Sequence, residues 1–448
     1  MECFDILKKK RILTLFPLGL INIYIFFTLA VYLFGPWDFS NDNKYLTVTF
    51  IIVYILSINA GFIFGIFGTR NKSRIDTKNI ELYFSRWLLF LLLASIFFNV
   101  FYILRNTGGN AFSIYYIYEQ AFAGIVNPGE QYLKKFSSDA LSSVGGGILP
   151  KIYVLLSPLI WASLPVSILY WKRLKVTNKL LVACAILTEI IKWISIGTNK
   201  GIIDLVIIFV IVILAIYFKK AFDGKLERKK IISQFLTLSV LSILALVYFN
   251  NAIGSRIGVN YSALLYNVPI NENSILFKMI PENFHFFIIS ISAYLTQGYY
   301  AISMSFLVPF SSTLGMGSSL FLYENFKSIT GERIWENSYV YKLSELGWDQ
   351  QVNWHSLYLW LANDWSYFGV IPIMFLLGLM FSLIWKDFLF NYSSISIILL
   401  PLYAMIFIYS PANNQVMQTP NLFVSFWVWN FVFVYSNYIR HRSLKTQE

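Results

Sequence analysis

The sequence predicts an all-α polytopic membrane protein, with about ten (ten to twelve) transmembrane helices and one large extracytoplasmic loop between helices 7 and 8. Three observations carry that reading. The 448 residues are 57% hydrophobic and only 13% charged, against ~45–50% and ~25% in soluble globular chains. The apolar residues fall in blocks of about 20, the length that crosses ~30 Å of hydrocarbon at ~1.5 Å per residue. Aromatic side chains make up 19% of the chain, as suits rings lodged at headgroup depth.

The net charge of +12 does not point to nucleic acid. The basic residues lie in short segments between apolar blocks, where positive-inside bias places them, and no base-reading motif is present. Cys3 and Cys184 fall in the N-terminal tail and a span, so no disulfide is expected. Three histidines without a cluster of further ligands do not make a conventional zinc site, and neither a metal nor another cofactor is expected. No G-x-x-x-x-G-K-[ST] run occurs, which excludes an ATP-driven pump in this chain. Lys8-Lys9-Lys10-Arg11 precedes an apolar run too long for a signal peptide and without a cleavage site, so it reads as an uncleaved first span.

The spans are expected at about 12–34, 46–67, 87–104, 152–170, 180–196, 202–218, 231–249, 368–385, 395–409 and 422–438. The chain divides into residues 1–249 with helices 1–7, a large outer loop over 250–364, and residues 365–448 with helices 8–10 and a tail. Basic stretches follow span 2 (Arg70, Lys72, Arg74, Lys78), span 4 (Lys172, Arg173, Lys175) and span 10 (Arg440, Arg442, Lys445). With the N-terminus inside, this layout puts 23 of the 35 lysines and arginines on the cytoplasmic side, and so predicts both termini in the cytoplasm. Phe286–Phe310 is apolar but interrupted by Gln297, Gly298 and Pro309. As a full span it would invert everything after it, so it is expected to be an interfacial or re-entrant helix.

Three stretches could carry chemistry. In the first, Glu189 and Lys192 are three apart on one helix face and able to pair. They lead into the turn Gly197-Thr198-Asn199-Lys200-Gly201, where the Lys200 ammonium could meet a lipid phosphate, although Gly and Asn there also suit an ordinary helical hairpin. In the second, Arg256 stands just past span 7 and offers a planar fork to phosphate oxygens, or simply snorkels. The third runs Trp354-His355-Ser356-Leu357-Tyr358-Leu359 through Asn363-Asp364-Trp365 to Gly369. His355 is the residue best suited to take a proton near neutral pH, and a His beside Trp is equally at home as an interfacial residue. His355 and Asp364 are nine apart, on opposite faces of a continuous helix, and so do not form an obvious dyad.

These residues carry a resemblance. The Gly197–Gly201 turn, Tyr294-Leu295-Thr296-Gln297-Gly298-Tyr299-Tyr300 with Pro309-Phe310, and Gly315-Met316-Gly317-Ser318 resemble segments of Wzy-type O-antigen and capsular repeat-unit polymerases. His355-Ser356-x-x-Leu359 is similar to the His-Asn/Ser-x-x-Leu pattern of the related O-antigen ligases. The resemblance implies inverting glycosyl transfer on the outer face of the bacterial inner (cytoplasmic) membrane, from an undecaprenyl-pyrophosphate-linked oligosaccharide to a second lipid-linked repeat unit. It further implies Arg256, Lys200 and Arg333 as pyrophosphate ligands, His355 as base with Asp364 or Glu324 next, and Asn199, Gln297, Tyr299, Tyr300, Glu324 and Asn363 as supporting or sugar-binding residues. The lipid bilayer and a chain-length regulator are the implied partners. Which of Arg256 and Arg333 answers to the ligases' loop arginine stays open.

Three other readings compete. An O-antigen ligase shares the donor and differs in acceptor. A lipid-phosphate-sugar glycosyltransferase would centre on Asp38 and Asp42 in the first outer loop. A flippase for lipid-linked glycans would favour internal repeats and broken helices at the midplane.

Overall fold

The computed structural model describes residues 2–39, 43–68, 78–109, 111–134, 147–225, 228–258, 264–265, 268–350 and 352–445, with the side chains of 2–9, 78–86, 228–235, 237–238 and 440–445 left aside. Asp42 and the basic residues Arg70, Lys72 and Arg74 lie outside the described residues, as do the side chains of Cys3, Lys78, Arg440, Arg442 and Lys445.

All regular structure among the described residues is helical apart from one isolated bridge, Trp37 to Ile270. In order the helices are α1 (Glu2–Phe34), α2 (Lys44–Phe67), α3 (Lys78–Thr107), α4 (Ile114–Val126), α5 (Pro128–Lys134), α6 (Ile148–Leu169), α7 (Val176–Ile194) and α8 (Lys200–Phe222). There follow α9 (Arg228–Ile257), α10 (His285–Ser305), α11 (Leu320–Thr330), α12 (Tyr339–Glu345), α13 (Leu357–Asn391), α14 (Ser394–Tyr409) and α15 (Pro420–Lys445).

Eight described helices are long and apolar enough to cross a membrane, and they fall on the predicted spans 1–4, 6–8 and 10. Predicted spans 5 and 9 are also helices but are not among the eight. α7 carries Lys179, Glu189 and Lys192, and α14 has only 16 residues. Internal prolines at 17, 158, 165, 372 and 401 are tolerated, because neighbouring groups in a membrane bundle can satisfy the carbonyls that they free.

The outer loop expected over 250–364 is not irregular chain. α9 runs on to Ile257, so Arg256 sits in its last turn rather than beyond it, and α10, α11, α12 and the start of α13 also fall within the expected loop. Helix formation needs no apolar block once a helix has started, so the polar stretch after Phe249 continues the ladder. Short caps fix the others. Ser319 and Ser338 accept hydrogen bonds from Leu322 and Tyr341 N–H at the starts of α11 and α12, and Gly331, at φ 75°, ends α11. The Gly/Ser/Tyr-rich loop after span 3 likewise holds α4, capped by Ser113, whose exposed Ile114, Tyr115, Tyr118 and Phe122 suit a helix lying at a bilayer interface.

The chain divides into two compact units. The first comprises residues 1–71, 260–386 and 402–423, the second 72–259, 387–401 and 424–448. In the first unit α2 meets α13 through small residues. A Cβ on Gly61 would lie 2.0 Å from the Phe375 carbonyl oxygen, one on Gly65 1.8 Å from Ser382 Oγ, and one on Gly378 2.2 Å from the Ile58 carbonyl oxygen. Gly61-x-x-x-Gly65 is therefore a close-approach motif, the means by which membrane helices gain dispersion contact. α10 packs against α1 and α2 as one unbroken helix, its Tyr299 hydroxyl 3.0 Å from Thr28 Oγ1. The break that a re-entrant segment needs is not in α10. The broken backbone lies at Ser366 of α13, with φ 57° and ψ 173°.

In the second unit α3 packs along α7 through Leu88, Leu92, Val182 and Ala185. The expected Glu189–Lys192 pair forms at 2.7 Å, and Lys192 also donates to Asn99 Oδ1 of α3 at 3.1 Å. Trp193 Nε1 donates to Glu189 at 2.7 Å. Charged groups inside this bundle are thus hydrogen-bonded to one another, as the cost of burying them requires.

Candidate functional site

In the first unit His355 lies one residue ahead of α13. Ser356 is the helix cap, its Oγ accepting from Leu359 N–H at 3.2 Å. Ser is a strong capping residue, since its side-chain oxygen takes one of the unpaired N–H groups of the first turn. Neighbouring segments pin the loop. Trp354 N–H donates to Gln297 Oε1 at 2.8 Å, and Leu357 N–H donates to the Ser410 carbonyl at 3.0 Å. Gly298 lets α10 close onto both strands of this junction. A Cβ there would be 2.2 Å from the Pro411 oxygen and 2.6 Å from Ser356 N.

The His355 ring is 1% exposed and meets Trp360 edge to face, centroids 6.0 Å apart. Its Nε2 is buried and has no hydrogen-bond partner among the described residues. Burial pushes its pKa down to about 3, so the imidazole is neutral at pH 7 and keeps a lone pair. Two further buried acceptors lie on the pinned segments, Asn353 Oδ1 and Asn414 Oδ1, also without partners among the described residues. Unsatisfied buried groups are few in native proteins and each calls for an account. Asn353 and Asn414 are not titratable, so residue type alone does not single them out. The signal for the latter was Asn413-Asn414-Gln415, a polar run between apolar helices.

Asp364 Oδ1 accepts from Thr313 Oγ1, from Gly315 N–H at 3.0 Å and from Gly317 N–H at 2.8 Å, and its Oδ2 from Ser318 N–H at 2.8 Å. Successive backbone N–H groups of this kind form an anion nest, and here the chain's own carboxylate fills it. Asp364 anchors the Gly315–Ser318 loop through these four hydrogen bonds. Asn363 does the same work, accepting from Tyr339 N–H at 2.9 Å and donating to the Gly317 carbonyl at 3.0 Å. Asp364→Asn would place amide hydrogens against those donors. The expected result is a loss of about 2–4 kcal/mol of stability, read as a lowered thermal midpoint of the purified protein. An unchanged midpoint with lost activity would point to a chemical role.

The other expected residues of this unit separate by exposure. Gln297 holds Trp354 through its Oε1, and Tyr299 is fully buried with its hydroxyl against Thr28. Tyr300 is half-buried, its ring 5.1 Å from both Phe39 and Trp348. Arg333 and Glu324 are exposed near Tyr323 and α11. Asp38, the rival centre, is exposed on a loop tied to 269–271 by backbone hydrogen bonds of 2.7 and 3.0 Å.

The second unit brings two expected elements together. Arg256 Nη2 donates to the carbonyl of Gly197, and the guanidinium stacks over Tyr132 at 3.9 Å. Both glycines of the Gly197–Gly201 turn are required. Gly197 has φ 61°, with its added Cβ 1.9 Å from the Pro128 oxygen, and a Cβ on Gly201 would strike the Trp193 indole at 1.7 Å. Lys200 does not stand free for a phosphate, because it pairs with Asp204 at 2.9 Å. Arg256 Nε is buried and unpartnered, and among the described residues no carboxylate pairs with the guanidinium. Asn199, 7% exposed, also keeps Oδ1 unpartnered.

These helices define a multi-pass membrane protein. No family model matches the chain, no curated protein matches it, and no solved structure does.

Proposed function

We propose that this protein is a polysaccharide polymerase of the Wzy type, joining undecaprenyl-pyrophosphate-linked repeat units on the outer face of the bacterial cytoplasmic membrane. The observation that supports the reading best is His355: buried, held between fixed segments, neutral, and with an unused Nε2. In the proposed step the acceptor hydroxyl oxygen attacks the anomeric carbon of the donor glycan, and its proton passes to His355 Nε2. The bond from that carbon to the pyrophosphate oxygen breaks, undecaprenyl pyrophosphate departs, and the anomeric centre inverts. A pKa near 3 makes a weak base in the free protein. The negative charge of a bound pyrophosphate favours the imidazolium and raises that value. Pyrophosphate is a good leaving group, so cations suffice to absorb its charge. In the second unit, taken by itself, Arg256 is a candidate ligand for a phosphate group, and Lys200 is secondary because Asp204 already pairs with it. Purified protein given lipid-linked repeat units should yield products of two or more repeats. Transfer only to a non-lipid-linked acceptor would make it a ligase, and no transfer at all would leave the flippase reading.

The proposal includes ten spans with both termini in the cytoplasm. A green fluorescent protein fused to the C-terminus should then fluoresce, and alkaline phosphatase fused there should be inactive. The reverse pattern would make α10, whose 21 residues are long enough, an eleventh crossing.

A further inference from the structure

The second unit holds a groove that the proposed chemistry does not use. It opens between the end of α6, the Trp171–Arg173 turn, α7 and the last turns of α8, with a volume of about 490 Å³. Its walls are apolar, with Val182, Phe209 and Ile213 among them, and its rim carries Lys172, Arg173 and Lys220, all exposed. Among the described residues no acidic side chain lines it. Nearby Lys219 is neutralised by Asp223 at 2.8 Å, whereas Lys220, on the rim, lies over the Tyr217 ring. The groove lies at the far end of α8 from the Gly197–Gly201 turn. Lys200 and Lys220 stand at opposite ends of that helix, roughly 30 Å apart at 1.5 Å per residue.

We propose that this groove seats one anionic phospholipid, with its phosphate among Lys172, Arg173 and Lys220 and an acyl chain along Val182, Phe209 and Ile213. Charge complementarity selects the occupant. An apolar slot alone would take any lipid chain, but a slot whose described rim carries Lys172, Arg173 and Lys220 favours a negatively charged headgroup at the membrane surface, each cation strengthening the attraction. Exposed Trp171 and the rim tyrosines suit the same depth.

The test is native mass spectrometry of the full-length protein in detergent, after incubation with phosphatidylglycerol or with phosphatidylcholine of the same chains. Wild type should retain phosphatidylglycerol about tenfold better than phosphatidylcholine. The Lys172→Gln/Lys220→Gln variant should lose that preference, and Ala183→Trp, which fills the exposed wall with all charges kept, should lose phosphatidylglycerol. Both variants change exposed positions, and an unchanged thermal midpoint checks folding. Equal retention of the two lipids by wild type would overturn the proposal, as would undiminished phosphatidylglycerol in the lysine variant. Full displacement of the lipid by millimolar inorganic phosphate would overturn it too, since the groove would then bind only the anion.

Discussion

His355→Gln should lower polymer synthesis by about 10²-fold or more while the protein still folds and inserts, since a positioned general base contributes ~10²–10⁴-fold. Gln keeps polarity and approximate size but cannot take a proton. Fold and chemistry can be separated by pH. The folded-state pKa of His355 lies near 3, below its ordinary 6.5. Between those values the unfolded chain holds a proton that the native state does not, so the stability from burying a neutral ring is complete above pH 6.5 and drains away as pH falls toward 3. Wild type should therefore lose thermal stability on acidification through that window. His355→Gln should lose less, by the share of this one group. A variant that keeps full activity would remove His355 from the chemistry, whatever its stability profile.

Arg256→Lys should weaken use of the donor by about tenfold, seen as a raised apparent KM for the lipid-linked repeat unit. Lysine keeps the charge but loses the planar fork that matches two phosphate oxygens and the face that stacks on an aromatic ring. Arg256 also ties α9 to the Gly197 carbonyl and stacks on Tyr132, so a purely structural role would instead lower the thermal midpoint with KM unmoved. Lys200→Gln is the internal comparison. Because Asp204 already pairs with Lys200, that change should shift KM by far less than Arg256→Lys.

The spans were legible because a 20-residue apolar block is a local property, visible without knowing what it packs against. The 16-residue α14 and charge-bearing α7 show where that signal weakens. The polar segments were harder. α9 continues past its apolar block to carry Arg256, and a ladder of backbone hydrogen bonds leaves no compositional mark at its end. Ser113, Ser319 and Ser338 were readable caps, yet only in hindsight of the helices that they start. Gly61-x-x-x-Gly65 was readable as a small-residue motif and went unremarked. At the candidate site, titratable types among aromatic residues picked out His355, but its burial depends on partners far along the chain. Asp364 shows the limit most clearly. Its hydrogen-bond partners, Thr313 51 residues upstream and the glycine loop after it, leave no mark in the sequence around Asp364 itself.

The most direct measurement is the gel profile of surface glycan from a deletion strain carrying no copy, the wild type or His355→Ala. The account predicts single repeat units in the deletion, a full ladder restored by the wild type, and single repeats again with His355→Ala at equal protein level. Long polymer accumulating on the lipid carrier in the deletion would contradict it, as would loss of all outer-face glycan or a normal ladder from His355→Ala.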